Sequence, residues 1–141
     1  MEYIKNWFSN FLPIGFNIVD DIGIEYPTVE NCYQAQKTLD PIIRNTFVFM
    51  TPGKAKREGR KLEIRSDWEQ VKVGVMYNAL KQKFARGTEW HKKLMETEGP
   101  IVEFNNWHDT YWGYDVNEQK GKNVLGKLLM SIRDGSALEN I

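Results

Sequence analysis

The chain has 141 residues, of which 41% are hydrophobic and 13% are aromatic. A chain of this length can bury one sizeable core, whereas two independent cores would each be marginal, so we expect a single domain over residues 1–141. The 19 basic and 19 acidic side chains cancel, which argues against a protein that holds duplex nucleic acid mainly through its phosphates. This balance of charge is still compatible with a local basic patch.

The cysteine usage and the hydropathy pattern indicate a cytoplasmic protein. The single cysteine, Cys32, excludes an internal disulfide and any all-cysteine metal site, and it fits a reducing compartment. The first residues carry no long apolar run behind a basic start, and no stretch approaches the roughly 18 apolar residues of a membrane span. We therefore expect no membrane partner.

The first third of the chain predicts a β-hairpin followed by a helix. Residues 16–19 alternate polar and apolar, residues 20–23 have the composition of a turn, and residues 24–26 resume the strand pattern. Thr28 is a helix cap, and the helix that it begins should run to about Leu39, before an Asp-Pro pair.

Three further helices are predicted in the middle of the chain. The first covers residues 41–49, and the second begins at the Thr51-Pro52 pair. The third and longest begins at Ser66, which forms a capping box with Glu69, and ends at Gly87. The side chains expected to face inward are Ile42, Ile43 and Phe47 on the first, and Trp68, Val71, Val75, Ala79 and Phe84 on the third.

The last third adds two helices and a short strand. One helix should run from Thr88 through Met95, and residues 101–104 can form a strand after a Gly-Pro break. The final helix should cover residue 124 to about residue 133. Its inward side chains should be Val124, Leu125, Leu128 and Ile132. The whole pattern predicts an α+β fold that is mostly helical, with a few short strands.

Residues 105–123 form an irregular stretch with unusual composition for a connection. Its aromatic, acidic and histidine side chains are Trp107, His108, Asp109, Tyr111, Trp112, Tyr114 and Asp115. Long loops inside compact domains are often functional, so we predict an active-site loop here.

Two charged residues on the first predicted helix could meet one ligand. Glu30 and Lys37 lie seven residues apart, which places them on one helix face about 10 Å apart along the axis. From pattern alone, a dipole-facing glutamate and a solvated lysine are the ordinary alternatives. His91 and His108 have no metal-ligand spacing, and glycine patterns for nucleotide cofactors are absent, so we predict no metal and no cofactor.

In order and spacing, the motifs resemble the NADAR (YbiA-like) family over nearly the whole chain. They are Phe8-Ser9-Asn10-Phe11 with Pro13; Tyr26-Pro27-Thr28-Val29-Glu30; Tyr33-Gln34-Ala35-Gln36-Lys37; Thr51-Pro52 with Ala55-Lys56 and Gly59-Arg60; Asp67-Trp68; Val75-Met76; Lys83-Phe84; Asp109 with Trp112-Gly113; and Gly121 through Met130 with Arg133. The chain departs from the family at Cys32, where an aromatic is common, and at Asp115, which replaces a glycine.

The resemblance implies an N-glycosidase that separates an amine or base from the anomeric carbon of a phosphorylated ribosyl compound. It implies that Glu30, Lys37 and Asp109 are catalytic. The side chains implied to bind the substrate are Asn10, Arg60, Trp68, Trp112 and Asn123, with Arg60 and Asn123 as candidate phosphate ligands.

The family's chemistry suggests how these residues would act. An exocyclic-amine glycoside can open to an imine, and the Lys37 amine can then attack that carbon to give a Schiff base. A dry wall from Trp68 or Trp112 would lower the lysine pKa. Glu30 and Asp109 are acid/base candidates whose roles the sequence does not separate. If Lys37 only holds ribose or phosphate, the carboxylates support a direct oxocarbenium route.

Three hypotheses about the function follow. In the first, the protein is an N-glycosidase whose substrate is a ribosylamino-pyrimidine phosphate of riboflavin synthesis. In the second, the substrate is ADP-ribosylated guanine in DNA or RNA, for which residues 54–61 would supply a basic strip. The third is a non-catalytic module that binds ADP-ribose or NAD, which has less need of two carboxylates and an amine.

Overall fold

The computed structural model describes residues 2–3 and 6–138. In chain order, the elements are β1 (Glu2–Tyr3), β2 (Ile18–Val19), β3 (Glu25–Tyr26), α1 (Val29–Ala35), α2 (Pro41–Thr46), α3 (Pro52–Gly59), α4 (Trp68–Lys83), α5 (Glu89–Met95), β4 (Ile101–Val102), β5 (Phe104–Asn105), β6 (Tyr114–Asp115) and α6 (Val124–Asp134), with 3-10 turns at Asn6–Phe8 and Phe47–Phe49. Short strands among longer helices confirm the predicted α+β, mostly helical class.

The chain divides into two compact units. One consists of Met1–Ser9 together with Phe84–Ile141, and the other is Asn10–Lys83. The single domain expected over residues 1–141 stays a prediction. Across residues 2–3 and 6–138, no helix is both long enough and apolar enough to cross a membrane.

The predicted hairpin is confirmed in the unit Asn10–Lys83. Strands β2 and β3 pair antiparallel, with Ile18 opposite Tyr26. The turn between them is closed by Asp20, whose Oδ1 accepts the backbone N–H groups of Ile22 and Ile24. Both Ile18 and Tyr26 are fully buried, so the hairpin carries one apolar face.

Helix α1 begins as predicted and ends earlier than predicted. The Thr28 side chain caps it by accepting an N–H of the first turn. The helix ends at Ala35, whereas the sequence suggested about Leu39. After Ala35 the chain tightens into i to i−3 bonds, because the N–H groups of Lys37 and Thr38 donate to the carbonyls of Gln34 and Ala35. The Lys37 carbonyl accepts the N–H of Arg65 at 2.8 Å.

The helical segment after α1 is also confirmed, although its buried face is different. Phe47 is buried as expected, but Ile42 and Ile43 are 78% and 38% exposed, so the prediction for these two was wrong. The buried side chain of α2 is Arg44, which forms an ion pair with Asp20 at 3.2 Å. An apolar pattern could not reveal a helix that turns a cation inward.

Helices α3 and α4 position the middle of this unit. Thr51 caps α3 by accepting the N–H of Lys54, as the sequence predicted. Helix α4 is the longest, but it ends at Lys83 and not at Gly87. Its buried side chains are Trp68, Met76, Ala79, Leu80 and Lys83, whereas Val71 and Val75 are only half-buried. Trp68, Ala79 and Phe84 are thus buried as predicted, whereas Val71 and Val75 lie at the edge of the buried face.

The other unit combines α5 and α6 with two parallel strand pairs. Strand β1 pairs with β4, and β5 pairs with β6, so the predicted strand over residues 101–104 is broken at Glu103. Thr88 caps α5 as predicted. Helix α6 approaches β4 so closely that a β-carbon at Gly126 would overlap the Ile101 carbonyl. Ser131 is buried in place of Ile132, which is half-buried.

Candidate active site

Glu30 is a buried carboxylate in the first turn of α1. Its side chain is only 6% exposed, and its Oε1 accepts a hydrogen bond of 2.9 Å from Nε2 of Gln34. Burial raises the pKa of Glu30 above its usual range, while the Gln34 bond and the nearby cations oppose that rise. A carboxyl group with these properties retains its proton to higher pH than an exposed one.

Lys37 lies in the turn after α1 and is half-buried. Burial lowers the pKa of its amine, the charge of Glu30 opposes this effect, and the charges of Arg60 and Lys56 add to it. A lowered pKa increases the fraction of neutral, nucleophilic amine. Glu30 and Lys37 influence each other electrostatically, but Lys37 lies outside α1, which ends at Ala35. The prediction that both residues stand on one face of a single helix was therefore wrong.

Helix α3 supplies cations to the same cluster. Lys56 on the helix and Arg60 at its C-cap both act electrostatically on Glu30 and on Lys37. Together with Lys37, three cations therefore act electrostatically on one buried carboxylate. Such a surplus of positive charge favours an anionic ligand group.

An aromatic pair adjoins Lys37. The Lys37 Nζ lies 5.9 Å from the centre of the Tyr33 ring, and that ring packs on Trp68 at a centroid distance of 5.2 Å. Trp68 is only 6% exposed. The pair supplies an apolar wall near the amine, with Tyr33 between Trp68 and Lys37.

Asn10 is not part of α1 but contacts its first turn. Its backbone carbonyl accepts the N–H of Glu30 at 3.0 Å, and its Nδ2 lies 3.6 Å from the sulfur of Met76. The side-chain Oδ1 is buried and has no hydrogen-bond partner in the described part of the chain. The structure thus leaves this buried acceptor unsatisfied.

In the other unit, Asp109 organises the aromatic and acidic loop. Its Oδ1 accepts the backbone N–H groups of Tyr111 and Trp112 at 3.1 and 2.9 Å. The Asn105 side chain bonds both the N–H and the carbonyl of Asp109. Asp109 is thus held rigidly by one oxygen and its backbone.

The same loop caps helix α6. The carbonyls of Tyr111 and Trp112 accept the N–H groups of Val124 and Leu125 at 3.1 and 2.9 Å. Asn123 uses its side chain to bond the Ile101 carbonyl and the Glu103 N–H. These contacts give Asn123 a structural role, and its phosphate role stays a prediction.

The departure at Asp115 is accommodated by new local bonds. Asp115 is fully buried, its Oδ2 lies 2.8 Å from Nδ1 of His108, and its Oδ1 accepts the N–H of Asn117. Desolvation opposes the shift, but these bonds hold the pKa of Asp115 below its usual range. His108 adopts a left-handed backbone with φ of 65°. A carboxylate in place of glycine thus fixes the shape of the loop.

Other candidate chemistry is weak. Cys32 is buried, and burial raises the pKa of its thiol to about 12, which is the behaviour of a packed side chain and not of a nucleophile. Within residues 2–3 and 6–138, no group of three or more His, Cys, Asp or Glu side chains could hold a metal. The expected absence of a metal and a cofactor stays a prediction.

The predicted site residues thus fall in both units. Asn10, Glu30, Lys37, Arg60 and Trp68 belong to Asn10–Lys83. The other three, Asp109, Trp112 and Asn123, belong to the unit with Phe84–Ile141. Sequence reasoning did not identify Gln34, although its position four residues after Glu30 on one helix was a usable signal.

Comparison with known proteins defines the class. The family model described as the NADAR domain matches residues 2–135, and the chain belongs to this family. Among its relatives, N-glycosidase YbiA of Escherichia coli is 38% identical over 94% of this chain and 82% of its own. N-glycosidase Npun_R5314 of Nostoc punctiforme is 36% identical over 90% and 83%. The predicted enzyme class, a hydrolase of the N-glycosidase type, is confirmed by these relatives.

Two further comparisons concern length and fold. The chain matches 24% of the chloroplastic riboflavin biosynthesis protein PYRR of Zea mays, with 33% identity over 94% of its own residues. The NMR structure of Escherichia coli YbiA matches with a TM-score of 0.76 and 39% identity, over 92% of this chain and 76% of that one. The predicted YbiA-like fold is therefore confirmed.

Proposed function

We propose that this protein hydrolyses the bond between an anomeric ribose carbon and an amine nitrogen in a phosphorylated ribosyl compound. The observation that carries the proposal is the pairing of a buried carboxyl, Glu30, with a partly desolvated amine, Lys37. Cleavage of such a bond needs a proton for the leaving amine and a group to stabilise or capture the anomeric carbon. Glu30 and Lys37 have the properties for these two tasks.

The proposed mechanism begins when the ribosyl ring opens to an imine at the anomeric carbon. The neutral Lys37 amine adds to that carbon, and a carboxylic acid protonates the departing amine, so a Lys37 Schiff base remains. Water then adds to the Schiff base with loss of a proton to a carboxylate. Finally Lys37 leaves and the sugar aldehyde closes to its hemiacetal. The sum is one water consumed and one free amine released.

Glu30 is the stronger candidate for the acid, since burial keeps its proton to higher pH. Asp109 is proposed as the second acid/base group from its place in the NADAR motif. Among residues 2–3 and 6–138, the side-chain bonds that hold the loop go to Oδ1 of Asp109 and not to Oδ2. If Lys37 merely holds the ribose or phosphate, the same carboxylates would serve an oxocarbenium route.

We propose that the phosphate group of the substrate binds Arg60, with Lys56 beside it. Both cations adjoin Lys37 and Glu30, and Arg60 is exposed at the end of α3, where a ligand can reach it. Asn10 would accept a hydrogen bond from the ribosyl part through its unpartnered Oδ1. Trp68, which packs on Tyr33, is proposed to line the site against the leaving base. Trp112 stays a substrate-binding proposal that rests on its place in the NADAR motif.

The proposed substrate is a ribosylamino-pyrimidine phosphate. The relative from Zea mays is named a riboflavin biosynthesis protein, which supports this choice, and the balanced charge of the chain fits a small molecule. A second candidate is ADP-ribosylated guanine in nucleic acid. It is favoured by the exposed basic side chains of α3 and its end, which are Lys54, Arg57, Arg60 and Lys61.

We propose the cytoplasm as the place of action. The single cysteine, Cys32, is free and buried, which fits a reducing compartment. Fractionation of cells that express a tagged full chain would test this directly.

The experiment that tests the function is product release followed by mass spectrometry. The protein is offered a ribosylamino-pyrimidine phosphate and, separately, an oligonucleotide with ADP-ribosylated guanine. Free ribose phosphate from the first supports the proposed substrate, and free ADP-ribose from the second supports the alternative. Turnover of neither would contradict the enzyme proposal and leave a module that binds ADP-ribose or NAD.

A further inference from the structure

A buried acceptor without a partner lies next to Glu30. Gln34 is only 5% exposed and donates a hydrogen bond from Nε2 to Oε1 of Glu30 at 2.9 Å. Its carbonyl Oε1 is buried and has no hydrogen-bond partner among residues 2–3 and 6–138. Buried polar atoms are nearly always paired, because an unpaired one costs stability. The exception at this position needs an explanation.

The packing around Gln34 fixes where the amide lies. A β-carbon at Gly59 on α3 would overlap the Gln34 Oε1, so the absence of a side chain there makes room for the amide group. The two ends of a primary amide have nearly the same shape, whereas one end donates and the other accepts. A rotation of 180° about the last side-chain bond therefore exchanges donor for acceptor within the same space.

We propose that Gln34 is a positioning residue that holds the Glu30 carboxyl in one orientation in both of its protonation states. When Glu30 is ionised, the Gln34 NH2 group donates to it. When Glu30 is protonated, the rotated amide presents its carbonyl and accepts the hydrogen bond of the acid. No proton is transferred to Gln34 in either state.

This inference rests on the proposed function, in which Glu30 is used in both states within one turnover. An amide is suited to that task because it has one donor end and one acceptor end, whereas a lysine could serve only the ionised state. The unpaired carbonyl is explained, because it is the end that is not in use while Glu30 is ionised.

The chain offers a matched control two residues further on. Gln36 is also buried at the end of α1, but its Nε2 donates to the carbonyl and the sulfur of Cys32 and not to a carboxylate. Methionine has the length of glutamine without its hydrogen bonds. Gln34→Met and Gln36→Met therefore remove the same chemistry from neighbouring positions.

The test combines steady-state kinetics on the ribosyl substrate with carbon-13 NMR titration of the Glu30 carboxyl. Gln34→Met should lower kcat by about tenfold or more with a much smaller change in KM, since a mispositioned acid transfers its proton less well. The titration of Glu30 should move to higher pH, because the bond lost from the ionised form is charge-assisted and therefore stronger than the bond lost from the protonated form. Gln36→Met should match the wild type in both measurements.

A wild-type kcat and an unchanged Glu30 titration in Gln34→Met would overturn the inference. If Gln34→Met does not fold, Gly59→Ala gives the second variant, because its β-carbon displaces the amide and should produce the same two changes. Failure of the proposed function can be distinguished from failure of this inference. If the proposed function is wrong, the wild type shows no turnover or Glu30→Gln is fully active. In that case the NMR titration alone decides whether Gln34 holds Glu30.

Discussion

Gly59 faces the side chain of Gln34 so closely that a β-carbon at position 59 would overlap the amide oxygen. Helix α3 therefore presses against the residue that donates to Glu30. A glycine within a helix normally costs stability, so its presence here reflects a close approach and not backbone flexibility.

We expect Gly59→Ala to lower both stability and activity. The added methyl group should cost about 1–3 kcal/mol of unfolding free energy through overpacking, measured by urea denaturation. Gly53→Ala on the same helix is the control, because its β-carbon meets nothing closer than 3.6 Å. That variant should gain up to about 1 kcal/mol and keep full activity. Equal behaviour of the two variants would contradict the role given to Gly59.

Because Glu30 is buried, we expect its effect on the free energy of unfolding to depend on pH. Its pKa is raised in the folded state, so its favourable contribution is complete below the unfolded pKa of about 4.3 and is lost as pH rises through the folded value. Glu30→Gln removes the charge and should therefore raise the melting temperature at pH 8 more than at pH 4.

Thermal unfolding at several pH values measures this difference. Glu25→Gln is the control, because Glu25 is exposed on β3 and its carboxylate stays in solvent. At pH 8 the gain of Glu30→Gln should exceed that of this surface variant. A gain for Glu30→Gln that is the same at pH 4 and pH 8 would show that burial does not disfavour the ionised form.

A Schiff base to Lys37 can be trapped chemically. Borohydride added during turnover should reduce the imine and leave the ribosyl phosphate attached to the peptide that contains Lys37, as seen by mass spectrometry of a digest. Lys37→Arg should give no adduct. Rapid turnover by the wild type without any adduct would exclude this intermediate and favour the oxocarbenium route.

Asn123 should prove essential for stability. It has a left-handed backbone with φ of 52°, and its side chain bonds the Ile101 carbonyl and the Glu103 N–H. Asn123→Ala leaves both groups unpaired, so we expect a loss of about 2 kcal/mol or more by urea denaturation. Asn123→Gly keeps the backbone conformation and isolates the loss of the two bonds. A loss below about 0.5 kcal/mol in both variants would contradict this role.

Local signals in the sequence predicted where the helices begin. Thr28, Thr51 and Thr88 each accept the hydrogen bond expected of a helix cap, because capping depends only on the next three residues. Helix α5 ends at Met95 as predicted, whereas α1 and α4 end earlier than predicted. The carbonyl of Lys37 bonds Arg65, which is 28 positions away in the sequence, and local pattern cannot anticipate that bond.

The candidate site was predictable in its residue types and less so in its environment. The spacing of Glu30 and Lys37 predicted a shared helix face, but α1 ends at Ala35, before Lys37. Their altered pKa values depend on burial and on the cations of α3. The same limit applies to Lys83, which is fully buried and whose pKa burial lowers to about 7. Burial of a charged side chain arises from packing between segments that are distant in sequence, so periodicity cannot reveal it.

The central claim is that Lys37 takes part in cleavage of the C–N bond, and product release by Lys37→Ala tests it most directly. With the ribosylamino-pyrimidine phosphate as substrate and circular dichroism to verify folding, kcat should fall by at least about 100-fold. Lys92→Ala, which alters an exposed lysine of α5, is the control and should release product at the wild-type rate. A folded Lys37→Ala protein with wild-type kcat would contradict the account.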